Sequence, residues 1–395
     1  MAGEFVENYT FHKVSPMIGV LHVVPDLRRQ AGGIAAAVTA LAAALQDQGI
    51  VSRFLTRFLD DGSDLRRLTT IVSTTHLVHP LKRNVVLKQA LEGFPPGMSF
   101  VVHSHGLWHP LNHAAVRSAR KSAVGTVISV HGMLLPWARQ HKNMRKDIAW
   151  ALYQRRDLRT ASAVHVTSQA EAEIVNAAVG MGQVREVPFG IDLPEAPTAM
   201  NLSGHERRLL FLGRLHPVKN LHTLIRAFAH AGSASWHLKL VGPDEDSHRS
   251  ELESLIVSLG MHTRITIAGP AYGADKKLEL AAAHALVLPS FTENFGVVVA
   301  EALAMGRPVL ASTGTPWKAV ESEGCGWWVD PALEGLERGI ATLTSTPDSE
   351  LAVMGARGMA WIRATLSWAK TSTEFTEIYQ HAAGCSGVRQ SFSGQ

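Results

Sequence analysis

Short apolar runs alternate with helical patterns along the whole chain, and this alternation constrains the fold more than any other feature. Apolar runs bounded by turn residues are typical of strands buried on both faces of a parallel sheet. Strands that alternate with helices predict parallel sheets with helices on both faces. The helical patterns include Ile34–Gln48 and Ala170–Ala178, and the predicted strands are Ile18–Val24, Phe100–Val102, Val127–Val130, Ala163–Val166, Leu209–Leu212, Leu238–Val241, Ile265–Ile267, Ala285–Leu288 and Val309–Ala311.

One break divides this pattern into two halves. The stretch from Pro188 to Pro197 contains three prolines and a glycine, which indicates a linker. A chain of 395 residues also exceeds what one hydrophobic core usually supports. We therefore predict an α/β protein with two doubly wound, Rossmann-like domains, residues 1–195 and 196–365, that face a central cleft, followed by a C-terminal segment, 366–395. Open sheets of this kind bind ligands at the carboxyl ends of their strands.

The segment around Glu293 and Glu301 carries the strongest functional signal. A buried strand ends before a polar loop with Glu293 and Asn294, and Gly296 then opens a helix that ends at Gly306. This layout predicts a carboxylate and free backbone N–H groups at the carboxyl end of a strand. Glu301 would lie about 9 Å along the helix axis from its start, whereas the two carboxyls of a retaining glycosidase lie about 5 Å apart. The two glutamates therefore suit separate parts of one long ligand. The alternative is an ordinary strand–loop–helix with surface glutamates.

Two other loops after predicted strands suit an anionic ligand. Gly32 and Gly33 open a helix, where the backbone can approach a ligand closely and the helix N-terminus favours a phosphate; the alternative is a plain tight turn. Arg214 and Lys219 follow the strand that ends at Leu212, and a planar fork of donors beside a point charge suits a diphosphate. The alternative is a basic loop, although a cation near a helix start is electrostatically disfavoured.

Histidines end two strands of the first half. His131 follows one strand, and His105 ends another together with His103. Sequence alone leaves His131 open between a core residue and a catalytic one, and His105 is a weaker candidate for the acceptor side. The histidines show no zinc spacing, and no D-x-D pair follows a strand. We therefore expect no metal and no cofactor, with Arg214 and Lys219 in the place of a cation.

Basic residues concentrate in one stretch of the first half. Residues 1–197 hold 21 lysines and arginines against 15 acidic residues, and seven of these basic residues lie within 139–159. Ile148 and Leu152 suit one face of a helix there, and the basic residues include Arg145 and Lys146. Such a helix can hold anionic lipid headgroups or an anionic acceptor. A solvated helix flank whose tryptophans pack inward is an equal alternative, and no motif supports nucleic-acid binding.

The sequence also bears on the compartment. Cys325 and Cys385 form no metal or redox pattern, which favours a reducing environment. The first ten residues lack the pattern of a signal peptide, and the longest apolar run, Gly33 to Leu45, is too short to span a bilayer. We expect a cytoplasmic protein that can attach peripherally to the inner face of the cytoplasmic membrane.

Together these motifs resemble the retaining glycosyltransferases of the GT-B fold, specifically the large family 4 that uses nucleotide sugars. The resemblance extends from about Met17 to about Tyr379. It rests on the E-x7-E pattern of Glu293 and Glu301, and on a Gly-Arg-Leu-x-x-x-Lys-Asn pattern at residues 213–220. It implies a hexosyltransferase, and a last helix that crosses back to brace the first domain.

The resemblance also implies a role for each site residue. Glu301 would hold the ribose hydroxyls, while Glu293 and the backbone N–H groups of Asn294, Phe295 and Gly296 would hold the hexose. Arg214 and Lys219 would stabilise the leaving diphosphate. His131 would contact the transferred sugar, and the loop of Gly32 and Gly33 would face the phosphates.

Substrate choice is not encoded in these motifs. Residues 314–317 and 325–328 resemble a subset of the family associated with bacterial surface polysaccharides, such as lipopolysaccharide, O-antigen or exopolysaccharide, which favours GDP-mannose or a UDP-hexose as donor and a glycan or lipid-linked glycan as acceptor. Phe189 departs from the family's interdomain P-N-G-[VI]-D motif, where an asparagine is usual. Two alternatives stay open: a nucleotide-sugar epimerase of the same fold, and a non-catalytic subunit that binds nucleotide sugars.

Overall fold

The structure is a computed structural model that describes residues 17–72, 88–140, 143–180, 182–194, 207–245 and 247–384. These residues form two parallel sheets with helices packed on them, which confirms the predicted α/β architecture of two doubly wound units. The predicted boundary at residues 195 and 196, and Cys385, lie outside the described residues.

The first sheet has seven strands, and every pairing in it is parallel. Leu21 in the first strand pairs with Arg53 on one side and Val102 on the other, so chain order and spatial order differ. The strands are β1 Ile18–Val23, β2 Val51–Thr56, β3 Thr69–Ile71, β4 Ser99–His105, β5 Gly125–Ser129, β6 Ala163–Val166 and β7 Val184–Glu186, in the spatial order β3-β2-β1-β4-β5-β6-β7. The helices are α1 Gly33–Gln46, α2 Pro110–Lys121, α3 Pro136–Gln140, α4 Asn143–Ala149, a π-helical turn Trp150–Gln154, α5 Arg155–Arg159 and α6 Gln169–Val179.

The second sheet has six parallel strands around one continuous apolar core. Its strands are β8 Arg207–Leu212, β9 Trp236–Val241, β10 Ile265–Ala268, β11 Ala285–Leu288, β12 Val309–Ser312 and β13 Gly326–Val329, in the spatial order β10-β9-β8-β11-β12-β13. The helices are α7 Leu221–Ala231, α8 His248–Ser258, α9 Gly273–Ala282, α10 Val297–Ala304, α11 Ala319–Ser322, α12 Leu333–Ser345 and α13 Asp348–Thr365.

The last helix, α14 (Trp368–Gly384), packs on the first sheet although it follows the second in sequence. Phe375 and Tyr379 are fully buried there against Val101 of β4 and Val127 of β5. Just before α14, the backbone N–H of Ile191 donates to the carbonyl of Leu366 over 2.8 Å, and a β-carbon on Gly190 would lie 2.5 Å from Trp368. The two chain segments that cross between the sheets therefore run side by side in close contact.

Every predicted strand and both named helices are present, with ends shifted by a few residues. Four strands escaped prediction: β2, β3, β7 and β13. All four are outer or next-to-outer strands, and β2, β3 and β7 mix polar with apolar residues. Only strands buried on both faces need an unbroken apolar run, so the central strands are the ones a pattern can detect. Among the described helices, none is long and apolar enough to cross a membrane.

Candidate active site

The loop after β11 places Glu293 at the carboxyl end of the second sheet. Its carboxylate accepts hydrogen bonds from Lys219 Nζ and from Ser290 Oγ, the latter over 2.9 Å. The side chains of Lys219 and Glu293 are each only 13% exposed. Because desolvation offsets much of the Coulomb attraction between such little-exposed charges, this ion pair by itself adds little to stability.

The backbone beside Glu293 offers unused donors. Gly296 has φ +72°, a left-handed conformation that favours glycine, and is the N-cap of α10. Within the described residues, the N–H groups of Asn294, Phe295 and Gly296 donate to no protein acceptor. A side chain from another loop fixes this backbone, because Trp317 Nε1 donates to the carbonyl of Phe295. The loop therefore brings together the carboxylate of Glu293 and three free backbone N–H groups, as the sequence predicts for this strand end; we call this arrangement the cradle.

Glu301 lies on α10, one turn into the helix. Counting from Val297, the first helical residue, it is about 6 Å along the axis. Its carboxylate is 21% exposed and forms an ion pair with Lys276 of α9. Lys276 lies outside every motif that the sequence shows. The two glutamates thus sit in separate ion pairs, with Lys219 and with Lys276.

The loop after β8 carries the two predicted cations. Arg214 Nη1 donates to Glu245 Oε2 over 2.6 Å, in a pair that is about half exposed. Lys219 ends a short 3-10 turn, Pro217–Lys219, directly before α7. Asn220 fixes that turn because its Nδ2 donates to the carbonyls of Pro289 and Pro331 at 3.2 and 2.8 Å. The β8 and β11 loops are thereby tied together.

The predicted glycine loop of the first domain lies between β1 and α1. Gly32 has φ +85° and ψ −153°, a conformation that residues with a side chain rarely adopt, and it is the N-cap of α1. A β-carbon on Gly32 or on Gly33 would have no atom within 4 Å. The loop therefore borders open space, and the helix N-terminus behind it presents unpaired N–H groups.

The first domain meets the Glu293 loop at Gly132, next to His131. A β-carbon on Gly132 would lie 2.7 Å from Cβ of Asn294, so only glycine permits this approach. The Asn294 amide lies 2.8 Å from Thr167 Oγ1. With its oxygen turned to accept from that hydroxyl, its nitrogen donates to Glu171 Oε2 over 3.1 Å, which satisfies both groups. Glu171 also accepts from the backbone N–H groups of Gly132 and Thr167. Burial raises the pKa of Glu171, and these hydrogen bonds oppose that rise.

His131 and His105 belong to a group of histidines inside the first domain. His131 is half-buried with φ +53°, and desolvation lowers its pKa to about 3. Phe189 lies parallel to its ring with centroids 5.7 Å apart. The amide usual at position 189 is thus replaced by an aromatic side chain that packs on His131. His105 is 1% exposed and bonds to His22 and His131, so its ring does not reach a surface.

The basic stretch forms a row of short helices on the first domain. Arg145 is exposed, and Lys146 Nζ donates to the carbonyl of Ala138. Ile148 and Leu152 are 54% and 75% exposed, so the predicted apolar face points outward. The stretch borders the cleft, since Trp137, two residues before it, packs edge-on against His216 of the second domain.

Several site residues had no signal in the sequence analysis: Lys276, Glu245, Ser290, Thr167 and Glu171. Ser290 lies three positions before Glu293 in the same loop, whereas the other four reach the site from helices or loops distant in sequence. Glu171 offered the only local cue, since it follows Ser168, whose side chain caps α6. A capping serine followed by glutamate three residues later is an ordinary helix start, which conceals a second role.

The described residues include two groups whose spacing could hold a metal ion. One comprises His22, His103 and His105, and the other His222, His248 and Glu251. Both ring nitrogens of His103 are already hydrogen-bonded, to Tyr379 and Ser129. Neither group includes a residue of the Glu293 loop.

Comparison with known proteins identifies the family. The profile described as "Glycosyl transferase 4-like domain" matches residues 32–190, and "Glycosyl transferases group 1" matches residues 206–346. D-inositol 3-phosphate glycosyltransferase from Mycobacterium marinum is 28% identical over 240 residues, which span 56% of this chain and 47% of that protein. Its counterpart from Corynebacterium efficiens is 33% identical over 196 residues, 46% of this chain and 45% of that protein. The matches therefore span about half the length of these curated relatives.

Solved structures agree on the fold. Sucrose-phosphate synthase from Thermosynechococcus elongatus has a TM-score of 0.75 at 22% identity, over 93% of this chain and 100% of that chain. Anabaena HepE in complex with UDP and glucose has a TM-score of 0.72 at 20% identity, over 91% of this chain and 98% of that one. The two profiles cover most of the chain between them, and the two-sheet fold matches. The chain therefore belongs to the family 4-like glycosyltransferases of the GT-B fold.

Proposed function

We propose that the protein is a retaining hexosyltransferase that moves a hexose from a nucleotide-diphosphate sugar to a glycan or lipid-linked glycan. The observation that carries the proposal is the arrangement around Glu293. A carboxylate, the cation Lys219 and three unused backbone donors meet at one strand end, with Gly132 of the first domain against the same loop. A nucleotide sugar offers hydroxyls to the carboxylate and N–H groups, and phosphates to the cation.

The side chains divide the reaction among them. Lys219 and Arg214 would stabilise charge that grows on the diphosphate as its bond to the anomeric carbon breaks, which favours the transition state over the bound substrate. The acceptor hydroxyl would form the new bond on the same face and pass its proton to the departing phosphate oxygen. This front-face route needs no protein nucleophile. Lys219 and Ser290 both donate to Oε1 of Glu293, so Oε2 would accept from a hydroxyl of the sugar.

Arg214 and Lys219 would perform the task of a divalent cation, which makes the proposed reaction metal-independent. Activity should survive EDTA, and complete loss that Mn²⁺ or Mg²⁺ restores would contradict this part of the proposal.

The donor is a UDP-linked hexose or GDP-mannose. The Anabaena protein crystallised with UDP and with UDP-glucose supports the first, by similarity of fold alone. A thermal-shift screen of nucleotide sugars would separate the candidates, because a ligand at 100 times its Kd stabilises the folded state by about 2.7 kcal/mol.

One experiment tests the proposed function. The protein is incubated with the donor found in the screen, with and without a panel of glycan and lipid-linked acceptors, and release of nucleoside diphosphate is measured. We expect release that depends on acceptor, with the anomeric configuration retained in the product by NMR. Interconversion of the nucleotide sugar without acceptor would show an epimerase, and binding without turnover across the panel would favour a non-catalytic subunit.

A row of exposed apolar side chains on the basic stretch supports an acceptor presented at a membrane. Met144, Ile148 and Leu152 are spaced by four residues and are 72%, 54% and 75% exposed. Arg156 occupies the next position of this spacing, and Arg155 is also exposed. Apolar side chains flanked by arginines suit the boundary between acyl chains and anionic headgroups, where each cation contributes about 1 kcal/mol. The row would bring the cleft close to a lipid-linked acceptor on the inner face of the cytoplasmic membrane.

Flotation with liposomes tests the membrane contact. We expect binding to anionic vesicles that fades by about 0.5 M NaCl, as screening requires, and that drops in an Ile148→Ser, Leu152→Ser variant. Val257→Ser is the matched control, because Val257 is 68% exposed on α8 of the second domain. Equal recovery with neutral vesicles, or no recovery with anionic ones, would leave an enzyme that acts on a free acceptor.

A further inference from the structure

Two chains of hydrogen bonds run through the interior of the first domain. They involve histidines on β1, β4 and β6 and the one that follows β5. Strands buried on both faces normally hold apolar side chains, yet His22, His103, His105 and His165 are at most 1% exposed. Burial lowers the pKa of each ring, so all four are neutral near pH 7. A neutral imidazole has one donor and one acceptor nitrogen, and its hydrogen-bond partners determine which is which.

The first chain has a single consistent direction. His165 Nε2 lies 2.7 Å from the carbonyl of Val187 and must donate to it. Its Nδ1 therefore accepts from Ser129 Oγ at 2.6 Å, and that oxygen accepts from His103 Nε2 at 2.7 Å. His103 Nδ1 then accepts from the hydroxyl of Tyr379 on α14, also at 2.7 Å. Every group in this chain is satisfied.

The second chain leads toward the cleft. His22 Nδ1 lies 3.1 Å from His105 Nε2, and His105 Nδ1 lies 3.4 Å from His131 Nε2. The far nitrogen of His22, Nε2, is buried and has no partner. If His131 donated to His105 and His105 donated to His22, then Nε2 of His22 would be a buried N–H without an acceptor. Such a group is rare and costs about 1–3 kcal/mol. If donation runs outward, from His22 to His105 and from His105 to His131, then Nε2 of His22 buries only an unused lone pair.

The outward direction determines the tautomer of His131. His22 donates to His105, and His105 donates to His131 Nε2, so the hydrogen of the neutral His131 ring is on Nδ1. Within the described residues, Nδ1 makes no hydrogen bond. The ring is also fixed laterally, because Phe189 lies parallel to it at an interplanar angle of 17°.

We infer that His105 and His22 are positioning residues, which hold His131 in the Nδ1–H form so that it donates a hydrogen bond to an oxygen of the sugar donor. This inference rests on the proposed function for the identity of the ligand. The tautomer itself follows from the histidine chain alone. In this arrangement His131 orients a hydroxyl or ring oxygen of the hexose and does not act as a base.

NMR of the full-length protein labelled with ¹⁵N-histidine tests the tautomer directly. Two-bond ¹H–¹⁵N correlations distinguish a protonated Nδ1 from a protonated Nε2, and His131→Gln identifies the signal. We expect Nδ1–H in the wild type. A proton on Nε2 would reverse the chain and overturn the inference. This measurement does not depend on activity, so it decides the tautomer even if no donor is turned over.

Two variants of His105 test its role in turnover. His105→Phe keeps a planar ring but cannot bond to His131, and we expect kcat to fall at least tenfold with KM changed less than threefold. His105→Asn places an amide N–H near the former Nδ1, and it should recover part of kcat and keep the Nδ1–H signal of His131. Wild-type kcat in a folded His105→Phe protein, or loss in both variants without any change in the His131 signal, would overturn the positioning role.

Discussion

The two sides of the cleft carry polar groups of opposite character. On the second domain, the side chains are charged and paired: Lys219 with Glu293, Lys276 with Glu301, and Arg214 with Glu245. On the first domain, His131 next to the Gly132 contact is neutral and linked to other neutral histidines, and the buried carboxyl of Glu171 accepts from the backbone N–H groups of Gly132 and Thr167. The charged side suits recognition of phosphates, and the neutral side suits orientation of a sugar.

The pairing on the second domain explains how the site tolerates its own charges. An unpaired carboxylate or ammonium group in a partly buried position is costly. A nucleotide sugar brings phosphates for the cations and hydroxyls for the carboxylates. A bound nucleotide sugar would therefore offer a new partner to each member of a pair.

The largest expected effect is that of acid, which should destabilise the first domain more than the second. Burial lowers the pKa of His22 and His131 to about 3 and of His165 to about 4, below the ordinary value of about 6.5. Between these values the unfolded chain binds more protons than the folded one, so stability is full above about pH 6.5 and falls as the pH drops toward 4. Each such histidine contributes a slope of up to about 1.4 kcal/mol per pH unit.

Hydrogen exchange with mass spectrometry can locate this loss. After correction for the intrinsic rate, peptides from β4, β5 and β6 should lose protection between pH 7 and pH 5, whereas peptides from β11 and β12 should lose less. His165→Gln should reduce the pH slope, because it removes one titrating ring while an amide can still bond. Equal loss of protection in both sheets would show that the buried histidines do not dominate acid stability.

The two sides also differ in how far the sequence predicts them. The charged side could be predicted because Arg214, Lys219, Glu293 and Glu301 lie in short segments around strand ends, where local pattern and position in the sheet coincide. The partners of these residues could not. Lys276 reaches Glu301 from α9, and Glu245 reaches Arg214 from the loop after β9. Such pairings depend on the packing of elements, which a linear motif does not contain.

Most contacts on the neutral side, the first domain, could not be predicted from the sequence. A histidine in an apolar run carries no mark that it bonds to another histidine 83 positions away, as His22 does to His105. Phe189 departs visibly from the interdomain motif, but its contact with His131 depends on the fold. The central strands could be predicted because burial on both faces requires an apolar run. The four strands nearer the sheet edges are partly exposed and need no such run, so the pattern does not reveal them.

The cation pair should give the next largest effect. We expect Lys219→Ala to lower kcat/KM by about 10²–10³-fold and Arg214→Ala by about 10²-fold, as for loss of a group that stabilises developing charge. The Lys219 variant should be the worse one, because it also leaves the little-exposed Glu293 without its cation. Lys88→Ala is the control, since Lys88 pairs loosely with Glu92 on the surface of the first domain. Activity near that of the wild type in both test variants would contradict the diphosphate assignment.

The two glutamates should give the smallest effect and the sharpest division. Glu301→Ala should weaken binding of free nucleoside diphosphate by about tenfold to hundredfold, the range for loss of a hydrogen bond to a charged group. Glu293→Ala should leave that affinity within about twofold but weaken binding of the intact nucleotide sugar, because Glu293 lies beside the backbone donors of the hexose cradle. Calorimetry with both ligands measures the four affinities, and Glu253→Ala on the exposed face of α8 controls for loss of a surface carboxylate. If both variants weaken both ligands equally, the carboxylates act on the same part of the donor, and the assignment of one to the ribose and the other to the hexose is wrong.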